Sequence, residues 1–129
     1  MDQVATVARY FELASSGQVD EALALYHPDV VLHEPDCLPF GGEHVGIDGL
    51  RGLIGQVTGP FELTVRGVDY SAGEGAVIAR MDTVFTSRKS GREVEMPVVE
   101  FYEFADDGLI SRVDIFYKDP VAIIELGKD

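Results

Sequence analysis

Residues 93–104 read EVEMPVVEFYEF, and every second side chain from Val94 to Phe104 is apolar or aromatic except Glu100. This period of two predicts a β-strand with one face turned toward the core. The opposite face is the more highly charged of the two. Glu100 is therefore expected among apolar neighbours, where an ionised carboxylate is costly unless it is paired or protonated. The alternative is that this face meets solvent or a partner subunit.

Three more runs with the same period surround this strand and predict a sheet of antiparallel strands. Short turn sequences separate the runs: SAGEG at 71–75, SRKSG at 87–91 and ADDG at 105–108. Such close spacing favours direct pairing between consecutive strands. The four predicted strands cover residues 61–70, 75–86, 93–104 and 109–118.

The first half of the chain has a helical period instead. Asp2 can cap a helix over 3–15 that stops at Gly17, and similar spacing predicts helices over 19–26 and 47–57. Helices followed by a run of strands indicate an α+β fold. We expect a single domain over residues 1–129, in which a strongly curved antiparallel sheet is closed on its concave side by three N-terminal helices.

A further strand is predicted in DVVLHEP, residues 29–35. Val30 and Leu32 share one face with Glu34, and Pro35 ends the strand. One interpretation is a solvated strand end. The other is a carboxylate held at the mouth of an apolar pocket.

Composition excludes several classes of partner. The 129 residues carry a formal net charge of −13, which disfavours binding to nucleic acid and to anionic membranes. Cys37 is the single cysteine, which is typical of a reducing compartment, and no stretch has the length of a membrane helix. The N-terminal residues lack the pattern of a signal peptide. We therefore expect a cytoplasmic protein that binds neither nucleic acid nor membranes.

Two further sets of residues are open to two interpretations each. Arg80 and Asp82 lie on the less apolar face of the run 75–86, where the pattern slightly favours a surface pair over a pair in a polar part of a cavity. Tyr10, Tyr26 and Tyr102 lie at apolar positions, where they can pack in the core or can also direct a hydroxyl at a partner.

Metal and cofactor chemistry has little support. His33, Cys37 and His44 fall in a loop-rich region without a recognisable metal-binding spacing. Neither a phosphate-binding loop nor a dinucleotide-binding fingerprint is present. We expect no metal and no cofactor.

The stretch ARYFELASSGQVDEALALYHPDVVLHEP at 8–35 resembles the opening of the nuclear-transport-factor-2-like superfamily, in particular its ketosteroid isomerase and SnoaL-like polyketide cyclase branches. VVEFYEFADDGLISRVDIFY at 98–117 resembles the last two strands of these proteins. The resemblance implies a cone-like α+β barrel, commonly a homodimer, with a deep apolar pocket for a small hydrophobic ligand.

The same resemblance implies roles for individual residues. Glu34 falls at the general base, Tyr10 at the tyrosine of the oxyanion hole and Glu100 at the protonated carboxylic acid. Glutamate at both acid positions departs from the family pattern. The expected walls of the ligand pocket are formed by Tyr26, Leu32, Val98, Tyr102, Ile115 and Tyr117.

The resulting hypothesis is a cofactor-free isomerase, cyclase or dehydratase. A first alternative follows from ARMD at 79–82, which resembles the Arg-x-Asp of limonene epoxide hydrolase and implies that Arg80 and Asp82 face inward. Leu32, Glu34 and Ile115 replace other residues of that family's relay. A second alternative is a domain that binds a small ligand without any catalysis.

Overall fold

The computed structural model describes residues 2–129 and combines one six-stranded sheet with helices at both ends of the chain. The helices are α1 (Gln3–Ser15), α2 (Val19–Leu23), α3 (Gly46–Thr58) and α4 (Pro120–Leu126). The strands are β1 (Tyr26–Glu34), β2 (Gly42–Val45), β3 (Phe61–Gly73), β4 (Ala76–Ser87), β5 (Glu93–Phe104) and β6 (Ile110–Tyr117). The predicted α+β class is confirmed.

The sheet has the strand order β2-β1-β6-β5-β4-β3. Neighbouring strands are antiparallel except β1 and β6, which run parallel because the chain crosses from one end of the sheet to the other between them. The sheet is curved and does not close into a barrel. Strand β6, the last in sequence, lies between β1 and β5.

The helices cover the concave side of this sheet. Asp2 caps α1 by accepting a hydrogen bond from the Ala5 N–H at 2.7 Å, as predicted, and α1 packs on β3 and β4. The α3 helix packs on β1, β2 and β3 through Leu50, Leu53 and Val57, which are all buried. The apolar faces of sheet and helices thus form one core.

Two local predictions were wrong. The second helix ends at Leu23 rather than at residue 26, because Tyr26 pairs with Ile110 of β6 and so begins the first strand. Strand β2 contains His44 and lies in the region that was expected to be rich in loops. Its four residues are too few to give a periodic signal, and the strand is held by pairing with β1.

The short C-terminal helix completes the core. Asp119 caps α4 by accepting a hydrogen bond from the Ala122 N–H at 3.3 Å, and Ile123 and Leu126 of this helix are each 1 % exposed. None of the helices in residues 2–129 is long and apolar enough to cross a bilayer.

Candidate functional site

The strand register brings two carboxylates into one row on the concave face. Glu100 of β5 lies between Ala79 of β4 and Ile115 of β6. The parallel pairing of His33 with Asp114 places Glu34 beside Ile115 on the other side. Because neighbouring strands are about 4.8 Å apart, the Cα atoms of Glu34 and Glu100 are separated by roughly 10 Å. Both side chains project toward the helices.

Glu34 is the more completely enclosed of the two acids. Glu34 is 3 % exposed, and its Oε1 has no hydrogen-bonding partner among the described residues. Its Oε2 accepts a long hydrogen bond of 3.5 Å from the Tyr117 hydroxyl. Burial, together with the negative charge of Glu100, raises the pKa of the Glu34 carboxyl to about 8. Glu34 is therefore protonated at neutral pH.

Glu100 is better stabilised as an anion. The Tyr102 hydroxyl donates a hydrogen bond of 2.5 Å to its Oε1, a short bond of the kind that favours the carboxylate. Burial still raises the pKa of Glu100 above its usual value, and the Tyr102 hydrogen bond opposes that rise. The negative charge of Glu100 also contributes to the raised pKa of Glu34, so the two carboxyls titrate as a coupled pair.

Tyrosine hydroxyls extend this polar centre toward α1. The rings of Tyr10 and Tyr26 pack edge to face with centroids 5.2 Å apart, and burial raises the pKa of Tyr26 well above its usual value. Burial and the charge of Glu100 raise the pKa of Tyr10 to about 12. All of these hydroxyls are therefore neutral donors at physiological pH.

The site keeps some accessible surface. Glu100, Tyr10 and Tyr117 are each only partly buried. Two pockets of about 140 and 400 Å³ lie elsewhere, the first beside α4 and the second on the outer face of the sheet, and neither is lined by Glu34 or Glu100.

Comparison with known proteins identifies the family. The family model described as a SnoaL-like domain matches residues 7–113, which is most of the chain. This chain belongs to the SnoaL-like domain family. No curated protein matches the sequence significantly.

Solved structures agree with this assignment at the level of fold. An NTF2-like protein from Burkholderia pseudomallei superposes with a TM-score of 0.90 at 20 % identity, covering 100 % of both chains. TerC, crystallised with polyporic acid, gives 0.87 at 18 % identity over 98 % of each chain. A candidate polyketide cyclase from Xanthomonas campestris gives 0.84 at 18 % identity, covering 97 % of this chain and 96 % of the other. The predicted superfamily and its cone-like fold are therefore confirmed.

The predicted pocket walls of this SnoaL-like domain all face the concave side. Tyr26, Leu32, Val98, Tyr102 and Ile115 are each 8 % exposed or less, and Tyr117 is partly buried. That these residues contact a ligand stays a prediction.

Arg80 and Asp82 of the SnoaL-like domain lie on the other side of the sheet, as the strand pattern slightly favoured, so the inward orientation implied by the resemblance to limonene epoxide hydrolase was wrong. Arg80 is exposed and faces the second pocket, while Ala79 and Met81 occupy the concave face. Side chains alternate between the two faces along β4. Because Ala79 and Met81 are buried on the concave face, Arg80 and Asp82 must lie on the outer face. No ion pair between Arg80 and Asp82 is found among residues 2–129.

The hydrogen bond between Tyr102 and Glu100 was not anticipated from the sequence. From the sequence, Tyr102 was expected either to pack in the core or to direct its hydroxyl at a partner that was not named, although its position two residues after Glu100 places it on the same face of β5. That spacing could have suggested the pair. Residues 2–129 contain no group of three or more His, Cys, Asp or Glu side chains placed to hold a metal ion.

Proposed function

We propose that this SnoaL-like domain is a cofactor-free acid–base enzyme of the isomerase, cyclase or dehydratase type, acting on a small hydrophobic molecule bound on the concave side of the sheet. One observation carries the proposal: Glu34 and Glu100 share an apolar row with no cation among the described residues, and burial raises the pKa of both carboxyls. Two carboxyls whose pKa values differ can serve as one acid and one base. The fold shared with candidate polyketide cyclases supports small-molecule binding or a cyclase-type reaction.

The hydrogen bond from Tyr102 to Glu100 supports a division of roles opposite to the one that the resemblance implies. Glu100, as the carboxylate, removes a proton from a carbon next to a carbonyl or from a hydroxyl. Glu34, protonated below a pH of about 8, donates its proton or a hydrogen bond to the substrate oxygen on which charge develops. Tyr102 orients Glu100 through its 2.5 Å hydrogen bond, and Tyr10 offers a second neutral donor.

The test uses a simple probe of proton abstraction from carbon, 5-nitrobenzisoxazole, whose ring opening is followed by absorbance. We expect Glu100→Gln to lower kcat/KM by about 10² to 10⁴, because a positioned base contributes about that much. Glu34→Gln is expected to cost less and to abolish the fall in rate above pH 8. Glu103→Gln, an exposed neighbour on the same strand, is the control.

The three variants also separate the rival functions. A large loss in Glu34→Gln with little effect of Glu100→Gln would restore the roles implied by the resemblance. Full activity in both variants would contradict acid–base catalysis at this site and would leave a domain that only binds its ligand.

We also propose that the protein is a homodimer in which two copies pack through the outer face of β4, β5 and β6. Phe116 is 59 % exposed there and Ile78 37 %. Charges of both signs, including Arg80 and Asp114, surround these apolar side chains. A two-fold axis places each patch against its own copy, so that charges of opposite sign can pair.

The oligomeric state is measured by sedimentation. We expect wild type to sediment as a dimer and Phe116→Asp as a monomer, because a carboxylate would be buried at the centre of the contact. Val121→Asp in α4 is the matched control, since Val121 is 60 % exposed but lies on another surface. A monomeric wild type would contradict this proposal.

A further inference from the structure

A buried hydroxyl in β4 has no partner and no role in the acid–base pair. Thr83 is 5 % exposed, and its Oγ1 has no hydrogen-bonding partner among the described residues. Its side chain points to the concave side, because Met81 and Phe85 on the same face are buried. A buried polar group without a partner is destabilising, and a native protein keeps one where something else supplies the hydrogen bond.

The surroundings of Thr83 are apolar and adaptable. Met96 of β5 and Val65 of β3 are its register partners, and Met81 precedes it on the same face. Both methionines are buried, and unbranched thioether side chains can change rotamer to admit another molecule. No charged side chain lies among these neighbours, so the group that meets Thr83 is expected to be neutral.

An apolar approach leads from solvent to this point. Leu63 and Val65 face the concave side of the edge strand β3, because they pair with Phe85 and Thr83. They are nevertheless 40 % and 42 % exposed, which means that no helix covers this part of the concave face. The register shift between Arg66 and Val68 separates them from the better covered Val68.

We propose that Thr83, Met81 and Met96, with Leu63 and Val65 at their outer edge, form a second ligand subsite, here called the Thr83 subsite. The Thr83 hydroxyl binds a neutral carbonyl or hydroxyl group at one end of an elongated hydrophobic ligand, while the other end of the ligand reaches Glu34 and Glu100. This inference rests on the proposed function for the end of the ligand that reaches Glu34 and Glu100, and it adds the chemical class of that ligand.

The register sets the length of that ligand. Thr83 lies four residues along β4 from Ala79, the partner of Glu100, which corresponds to about 13 Å along the strand. After allowance for the side chains, the two polar groups of the ligand are separated by on the order of 10 Å. Two linked rings satisfy this length, whereas a single ring does not.

Two probes that differ in one distal hydroxyl test the subsite: 4-phenylphenol and 4,4′-biphenol, with affinities measured by calorimetry at pH 7. We expect wild type to bind 4,4′-biphenol about tenfold more tightly, the effect of one additional hydrogen bond to a buried group. Thr83→Val is expected to abolish this preference by weakening the binding of 4,4′-biphenol only. Thr86→Val, which removes a hydroxyl from the outer side of the same strand, is expected to keep it.

The outcomes distinguish this inference from the proposed function. If 4-phenylphenol binds and Glu100→Gln weakens it, but wild type shows no preference or Thr83→Val keeps it, the Thr83 subsite is wrong and the acid site stands. If neither probe binds wild type, the Thr83 subsite is wrong, and the acid–base proposal is judged by the kinetics of Glu100→Gln and Glu34→Gln. The free energy of unfolding of Thr83→Val is measured in parallel and is expected to equal or exceed that of wild type, since the change removes an unpaired buried hydroxyl.

Discussion

Carboxylates on the two faces of the sheet have opposite surroundings. On the outer face Asp114 lies 3.3 Å from Arg112, and Glu95 lies 3.1 Å from Arg66. On the concave face Glu34 and Glu100 have tyrosine hydroxyls as neighbours and no cation. The same type of side chain is thus an ordinary surface charge on one side and a proton-binding group on the other. The difference lies in access to water and to arginine.

The largest effect is expected from an additional carboxylate on the concave face. Val77 is 0 % exposed and faces inward, whereas the preceding Ala76 faces outward and is partly buried. Val77→Asp should lower the free energy of unfolding by about 3 to 5 kcal/mol, because the new charge has no partner in the core. Ala76→Asp should lower it by less than about 1 kcal/mol. Similar losses in urea unfolding of the two variants would contradict the assignment of the faces.

An intermediate effect is expected from replacing Glu34 by a residue that cannot ionise. The pKa of Glu34 is about 8 in the folded protein, whereas a glutamate in the unfolded chain titrates near 4.3. The free energy of unfolding is therefore highest below about pH 4.3 and decreases as the pH rises from there to about 8. Gln cannot ionise. Glu34→Gln should therefore be more stable than wild type by about 2 to 4 kcal/mol at pH 9, with a smaller gain at pH 5.

Urea unfolding at the two pH values measures this difference. Glu103→Gln on the exposed side of β5 serves as the control and should change the stability by no more than about 0.5 kcal/mol at either pH. A Glu34→Gln variant that gains equally at pH 5 and pH 9 would mean that Glu34 titrates normally.

The smallest effect is expected from an outer ion pair. Arg66 and Glu95 have side chains that are 61 % and 48 % exposed. Arg66→Ala should therefore cost about 0 to 1 kcal/mol, and the cost should decrease further at high salt because exposed pairs are screened. A loss of several kcal/mol in thermal unfolding would show that this pair is far less solvated than its exposure indicates.

Much of the sheet could be predicted, and the reason is local. The run 93–104 was expected to be a strand and coincides with β5, because alternation along one strand needs no knowledge of the rest of the chain. The same alternation placed Glu34 with Val30 and Leu32. It did not find β2, whose four residues depend on pairing with β1. The end of α2 was misplaced for the same reason, since Tyr26 pairs with Ile110 of β6 and so belongs to β1.

The amino-acid pattern was sufficient to predict the class of the fold, the strands of the second half and the acids that each strand presents on its apolar face. These properties follow from the period of hydrophobic residues within single segments. Long-range packing places β6 between β1 and β5, which brings Glu34 within reach of the Glu100 charge, and it leaves Arg80 and Asp82 outside. The different surroundings of the two acids were likewise beyond the sequence, because they depend on burial and on a tyrosine hydroxyl 2.5 Å from Glu100.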